Sequence, residues 1–80
     1  MIFTAQLRAA RALVGWHQSQ LAEASGVALS TIRRMETSEI RLRGNAESIW
    51  KVRRALEDAG VVFTDQDDDR GPGVRLKDPL

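Results

Sequence analysis

Ser30, Thr31, Arg33 and Arg34 place two hydroxyls and two guanidinium groups within five consecutive residues. A hydroxyl both donates and accepts hydrogen bonds, and a guanidinium offers a rigid fork of donors that matches phosphate and guanine edges. Such a set recognises polyanions and base edges; it does not by itself break covalent bonds. Catalysis would require a nucleophile with its base, a metal, or paired carboxylates in a cleft, and the chain has one histidine, no cysteine and most of its carboxylates near the end. No enzyme activity and no cofactor are expected. His17 has no other ligand-type residues at metal spacing, so it reads as a helix cap or a neighbour of phosphate. The run DQDDDRG (65–71) resembles a calcium loop only superficially. Arg70 occupies its sixth position, where glycine is required, and Leu76 its twelfth, where glutamate is required. It reads as a solvated turn, and no metal site is expected.

The residues around the hydroxyl and guanidinium group would hold it in place. Residues 18–36, QSQLAEASGVALSTIRRME, form two short apolar-patterned helices joined by a tight glycine turn. Leu21 and Ala22 fall on the inward face of the first, and Ala22 is small where a second helix must cross close by. Gly26 follows the last apolar turn and suits a left-handed backbone, which a residue with a Cβ adopts only at a cost. Val27 fills the corner. Ile32 and Met35, three apart, give the second helix its buried face, leaving Leu29, Ser30, Thr31, Arg33 and Arg34 on its sides and outside. That remainder is a surface a DNA major groove can meet.

The rest of the chain supports this motif. A first helix is expected from an N-cap at Thr4 to about Val14, with Leu7, Ala10 and Val14 as its apolar stripe and Gly15 as its end. Trp16 reads as buried between helices, and His17 as the N-cap of the next. A loop carrying Arg41 and Arg43 follows Glu36. Asn45 is a good N-cap for a fourth helix over 46–59, with Ile49, Val52 and Leu56 facing inward, Gly60 closing it, and Trp50, Arg53 and Arg54 off the stripe. Residues 61–64 (VVFT) and 74–76 (VRL) read as strands flanking the turn-rich 65–73, hence a hairpin. The expected organisation is a motif-bearing domain over 1–60 and a β extension over 61–80.

Eighty residues make one small domain with a marginal core, which favours association with a second copy. A two-stranded hairpin is barely stable alone, so Val61, Val62, Phe63, Val74 and Leu76 are expected to serve dimerisation by strand pairing between copies. The net charge of +1 hides an asymmetry: residues 1–56 carry nine bases against four acids, and 57–80 carry three against seven. The basic part holds the paired helices, as expected if one face approaches phosphate. No apolar run approaches a membrane span, no export signal opens the chain, and without cysteine there are no disulfides. A soluble cytoplasmic protein is expected.

Through LRAAR (7–11), GWHQSQLAEASGV (15–27) and TIRRME (31–36), residues 4–59 resemble the phage-repressor, or Cro/XRE, helix-turn-helix family, in a short bacterial form that runs on into AGVVF and GPGVRL. The resemblance implies a mainly α, compact four-helix, lambda-repressor-like DNA-binding domain, here followed by a C-terminal β-hairpin. With the small core favouring a dimer, the expected protein is a homodimeric regulator reading double-stranded DNA at a two-fold symmetric operator, a repressor before an activator because eighty residues leave little room for a surface devoted to polymerase contact. Carried over by position, Leu29, Ser30 and Arg34 face base edges, while Gln18, Thr31, Arg33, Arg41 and Arg43 contact the backbone. Arg11 and Glu36 match a salt bridge tying the first helix to the third. Two positions depart from the pattern: Leu29 stands where a polar reader is usual, and Ala28 replaces the usual capping Ser or Thr. Leu29 and Trp50, the latter expected to be exposed, also keep open a different class, a protein-binding module of antitoxin or antiactivator type.

Overall fold

A computed structural model of the chain describes residues 4–37 and 44–80. Four helices, α1 (Thr4–Val14), α2 (Gln18–Ser25), α3 (Leu29–Glu36) and α4 (Ala46–Asp58), precede two strands, β1 (Val61–Thr64) and β2 (Gly73–Leu76). The fold is mainly α, as the apolar spacing anticipates.

Each helix buries the residues its period selects. Leu7 and Ala10 of α1, Leu21 of α2, Ile32 and Met35 of α3, and Val52 and Leu56 of α4 are wholly removed from solvent and meet in one core. Val14, Trp16, Ala22 and Ile49 pack on its margin, so Trp16 is half-buried and not central. The helix ends are set by local chemistry. The Asn45 side chain accepts a hydrogen bond from the Ser48 N–H at 2.7 Å, and the Gln20 side chain reaches back to the His17 N–H at 2.7 Å. Gly26, at φ 73°, closes α2 by donating to the Ala22 carbonyl at 3.0 Å. Val27, 7% exposed, fills the corner that follows. Thr4 departs from expectation: it is helical, wholly buried, and its hydroxyl finds no partner among the described residues, so it does not act as the cap of α1.

The hairpin is antiparallel, pairing Val61 with Leu76, Val62 with Arg75, Phe63 with Val74 and Thr64 with Gly73. Its second strand begins one residue earlier than the sequence pattern indicates. Alternation sends Val61 and Phe63 into the same core as the helices, at 3% and 8% exposure. The side chain of Gln6, itself buried on α1, donates from Nε2 to the carbonyls of Thr64 and Gly73, both at 3.0 Å, and so fastens the hairpin to the helix. Stability therefore reaches the hairpin from within its own chain. The residues expected to meet a second copy are largely committed here: Val61 and Phe63 are internal, and Val62, Val74 and Leu76 are half-buried.

Candidate nucleic-acid interface

The geometry of α3 follows from which residues the core takes. With Ile32, Met35 and Glu36 turned inward, the eight-residue helix presents two ridges of i, i+4 spacing on its other side, Leu29 with Arg33 and Ser30 with Arg34. Ser30, Arg33 and Arg34 are exposed; Leu29 and Thr31 are half-buried. Arg34 lies along the helix surface, its Nη2 donating to the Thr31 hydroxyl at a long 3.4 Å.

The Leu29–Arg33 ridge borders an open cleft of about 380 Å³, closed on its other sides by Arg11, His17, Gln18 and Ser19. The cleft thus lies where the first residues of α2 meet α3. The N–H groups of a helix's first turn lack intrahelical partners and carry partial positive charge, so Gln18 and Ser19 suit a phosphate oxygen in both hydrogen bonding and field.

Beneath this surface a polar cluster locks three helices together. Arg11 grips Glu36 with two parallel hydrogen bonds, Nε to Oε2 at 2.6 Å and Nη2 to Oε1 at 2.7 Å. The third guanidinium arm, Nη1, donates to the Trp16 carbonyl at 2.8 Å, just after α1 ends. Glu36 also accepts from Gln18 Nε2 at 3.2 Å, which orients the amide at the mouth of the cleft. Glu36 is only 6% exposed, and a carboxylate so buried persists because these donors replace water. Its hydrogen bonds raise the Arg11 guanidinium above its ordinary value, outweighing the burial that opposes them. Arg11 is a structural cation, and the cleft leaves Arg33 as its forward-facing guanidinium.

Ser30, Arg33 and Arg34 share one exposed helix side, with Gln18 across the cleft from Arg33 and Thr31 partly covered beside Arg34. Ala28 stands at the N-cap of α3 with no side-chain cap, as its lack of a hydroxyl dictates. Arg41 and Arg43 lie outside the described residues. His17, which the sequence marks as a cap or a neighbour of phosphate, lines the cleft, and so does Ser19, to which the sequence pattern gives no role; its place next to Gln18, at the start of a helix facing the arginine-bearing one, is the available signal.

Two crossed helices, a left-handed glycine between them and an exposed hydroxyl and guanidinium surface on the second define a helix-turn-helix DNA-binding domain. A helix-turn-helix family model matches residues 7–56, the span from α1 to the last inward leucine of α4. The chain belongs to the Cro/C1-type helix-turn-helix family. No curated protein and no solved structure matches the chain. Among the described residues no helix is long and apolar enough to cross a membrane.

Proposed function

We propose that this protein is a sequence-specific transcriptional regulator, a repressor that binds a two-fold symmetric operator as a homodimer with α3 of each copy in a major groove. The observation that carries this reading is the exposure of Ser30 and Arg34 on one ridge beside the Leu29–Arg33 ridge and its cleft. Ser30 and Arg34 contact base edges, and Leu29 contacts a thymine methyl group, the apolar feature of the major groove. Gln18, Thr31 and Arg33 hold the phosphate backbone, as do Arg41 and Arg43 on the sequence reading. A two-fold operator places half-sites about one helical turn, roughly 34 Å, apart.

The test is selection of bound sequences from random duplex DNA, followed by binding assays on the enriched site. Enrichment of an inverted repeat that the Arg34→Ala variant no longer distinguishes from random duplex supports the reading. Recovery of no preferred sequence at any salt concentration overturns it.

A second reading, a protein-binding module of antitoxin or antiactivator type, is favoured by Leu29, an apolar side chain in the midst of the reading surface. Under that reading Arg34→Ala leaves partner binding largely intact.

A further inference from the structure

We infer that the outward face of α4, centred on Trp50, is the surface through which two copies of this chain associate, with the two α4 helices antiparallel. This gives a location to the homodimer proposed above and rests on that reading for its purpose, though not for its evidence.

Trp50 is 61% exposed on the side of α4 opposite Val52, Ala55 and Leu56. Tryptophan is rarely left so open, and at interfaces it is a preferred anchor. The hairpin does not cover it: β1 packs elsewhere on the bundle, its Phe63 taking the Arg53 guanidinium at 5.3 Å from the ring centroid.

The charges around Trp50 identify a second copy as the occupant. Glu47 and Arg54 are seven residues apart, two helical turns, so they lie on the same flank of Trp50, one before it and one after. A two-fold axis crossing the helix near Trp50 reverses the helix direction but keeps the flank. It therefore brings Glu47 of each copy opposite Arg54 of the other, two ion pairs of correct sign, with the two indole rings against each other at the centre. The pattern is self-complementary, as an isologous contact requires. Within one chain Glu47 pairs with Lys51 at 3.1 Å and Arg54 with Asp58 at 3.0 Å, and all four side chains remain substantially exposed, so both can take an added partner. A thirteen-residue helix is only about 20 Å long and its face is smaller than the roughly 800 Å² per partner of a standard stable interface. The association is accordingly weak in free solution and is reinforced when both copies sit on one operator.

Sedimentation equilibrium of the full chain, alone and as variants, tests this. The wild type is expected to show a reversible monomer–dimer equilibrium, and Trp50→Glu to raise its dissociation constant by about tenfold or more. Glu47→Arg alone and Arg54→Glu alone each oppose like charges across the two-fold and are expected to be monomeric. Mixed together, they form a heterodimer in which both cross-chain pairs are again of opposite sign. A purely intrahelical role for these charges predicts no recovery on mixing, because each variant has lost an i, i+4 pair that the other cannot supply. A monomeric wild type at its highest soluble concentration, an unchanged equilibrium in Trp50→Glu, or no heterodimer on mixing overturns the inference; circular dichroism confirms that the variants fold. DNA selection reads the operator proposal separately, so a dimer that binds no DNA sinks that reading and leaves this one standing.

Discussion

Arg11 and Glu36, twenty-five residues apart in the chain, meet in a two-pronged ion pair whose carboxylate also holds the Gln18 amide. The start of α2, the end of α3 and the body of α1 are thus fixed relative to one another by side chains lying just under the proposed reading surface. Core packing sets how the helices cross, and these hydrogen bonds add a polar tie among α1, α2 and α3 next to that surface.

Removing one partner should be severe. Arg11→Met leaves Glu36 buried with only the Gln18 amide, and loss of about 3 kcal/mol of stability is expected, the lower end of what breaking a buried pair costs because Arg11 is one-fifth exposed. Chemical denaturation checks it: a midpoint within experimental scatter of wild type would show that the pair contributes nothing. The raised guanidinium value fixes the pH behaviour on the arginine side. A cation whose folded value is raised stabilises fully below its unfolded value and loses that contribution only as pH rises through the folded one. For arginine both lie in strongly alkaline solution, so this half of the pair adds no pH dependence near neutrality.

Ala28→Ser should stabilise. The N-cap backbone of α3 has the extended ψ of 141° that a capping serine adopts, and Ala28 makes no side-chain bond to the first-turn N–H groups. A hydroxyl there is expected to add about 1 kcal/mol, read as a rise in thermal midpoint. No gain would mean that those N–H groups already have another acceptor.

Much of this was legible because helical period and capping chemistry are local. Ile32 and Met35, Val52 and Leu56, the Asn45 cap and the Gly26 turn each follow from residues within a few positions, and all stand where the spacing puts them. Gln6 was not legible, since a glutamine beside an apolar stripe looks solvated until two strand carbonyls from the far end of the chain are brought to it. The same long-range contact explains the hairpin. Its apolar residues signalled a need for cover, but whether α1 and α4 or a second copy supplies it depends on tertiary closure that no local pattern encodes. At the site, exposure of Ser30 and Arg34 could be read from period alone, whereas the Gln18–Glu36 bond joins two helices and appears only in the fold.

Phe63→Ala tests whether the hairpin is part of the domain or an appendage. Phe63 is 8% exposed, packs with the helical core and lies beneath the Arg53 guanidinium. Its truncation is expected to cost about 3 kcal/mol and to lower the single helical melting transition followed by circular dichroism. An unchanged helical melt would mean that residues 61–80 fold apart from the bundle.

Arg33 and Arg34 are neighbours in sequence with different expected roles, and salt separates them. Arg33 borders the cleft beside Gln18 and Ser19, where a phosphate fits, whereas Arg34 stands on the outer ridge with Ser30. A phosphate contact releases counterions and carries no base information, so Arg33→Ala should weaken specific and random duplexes about equally and reduce the slope of log affinity against log salt by about one. A base contact discriminates: Arg34→Ala should cost about 1–3 kcal/mol on the selected site and far less on random DNA, so the ratio between them collapses. Binding titrations of both variants on both duplexes across a salt series give the two quantities together. If Arg33→Ala flattened the sequence preference while Arg34→Ala changed only the salt slope, the roles would be exchanged. The helix would then be rotated about its axis in the groove by roughly the 100° that separates adjacent residues.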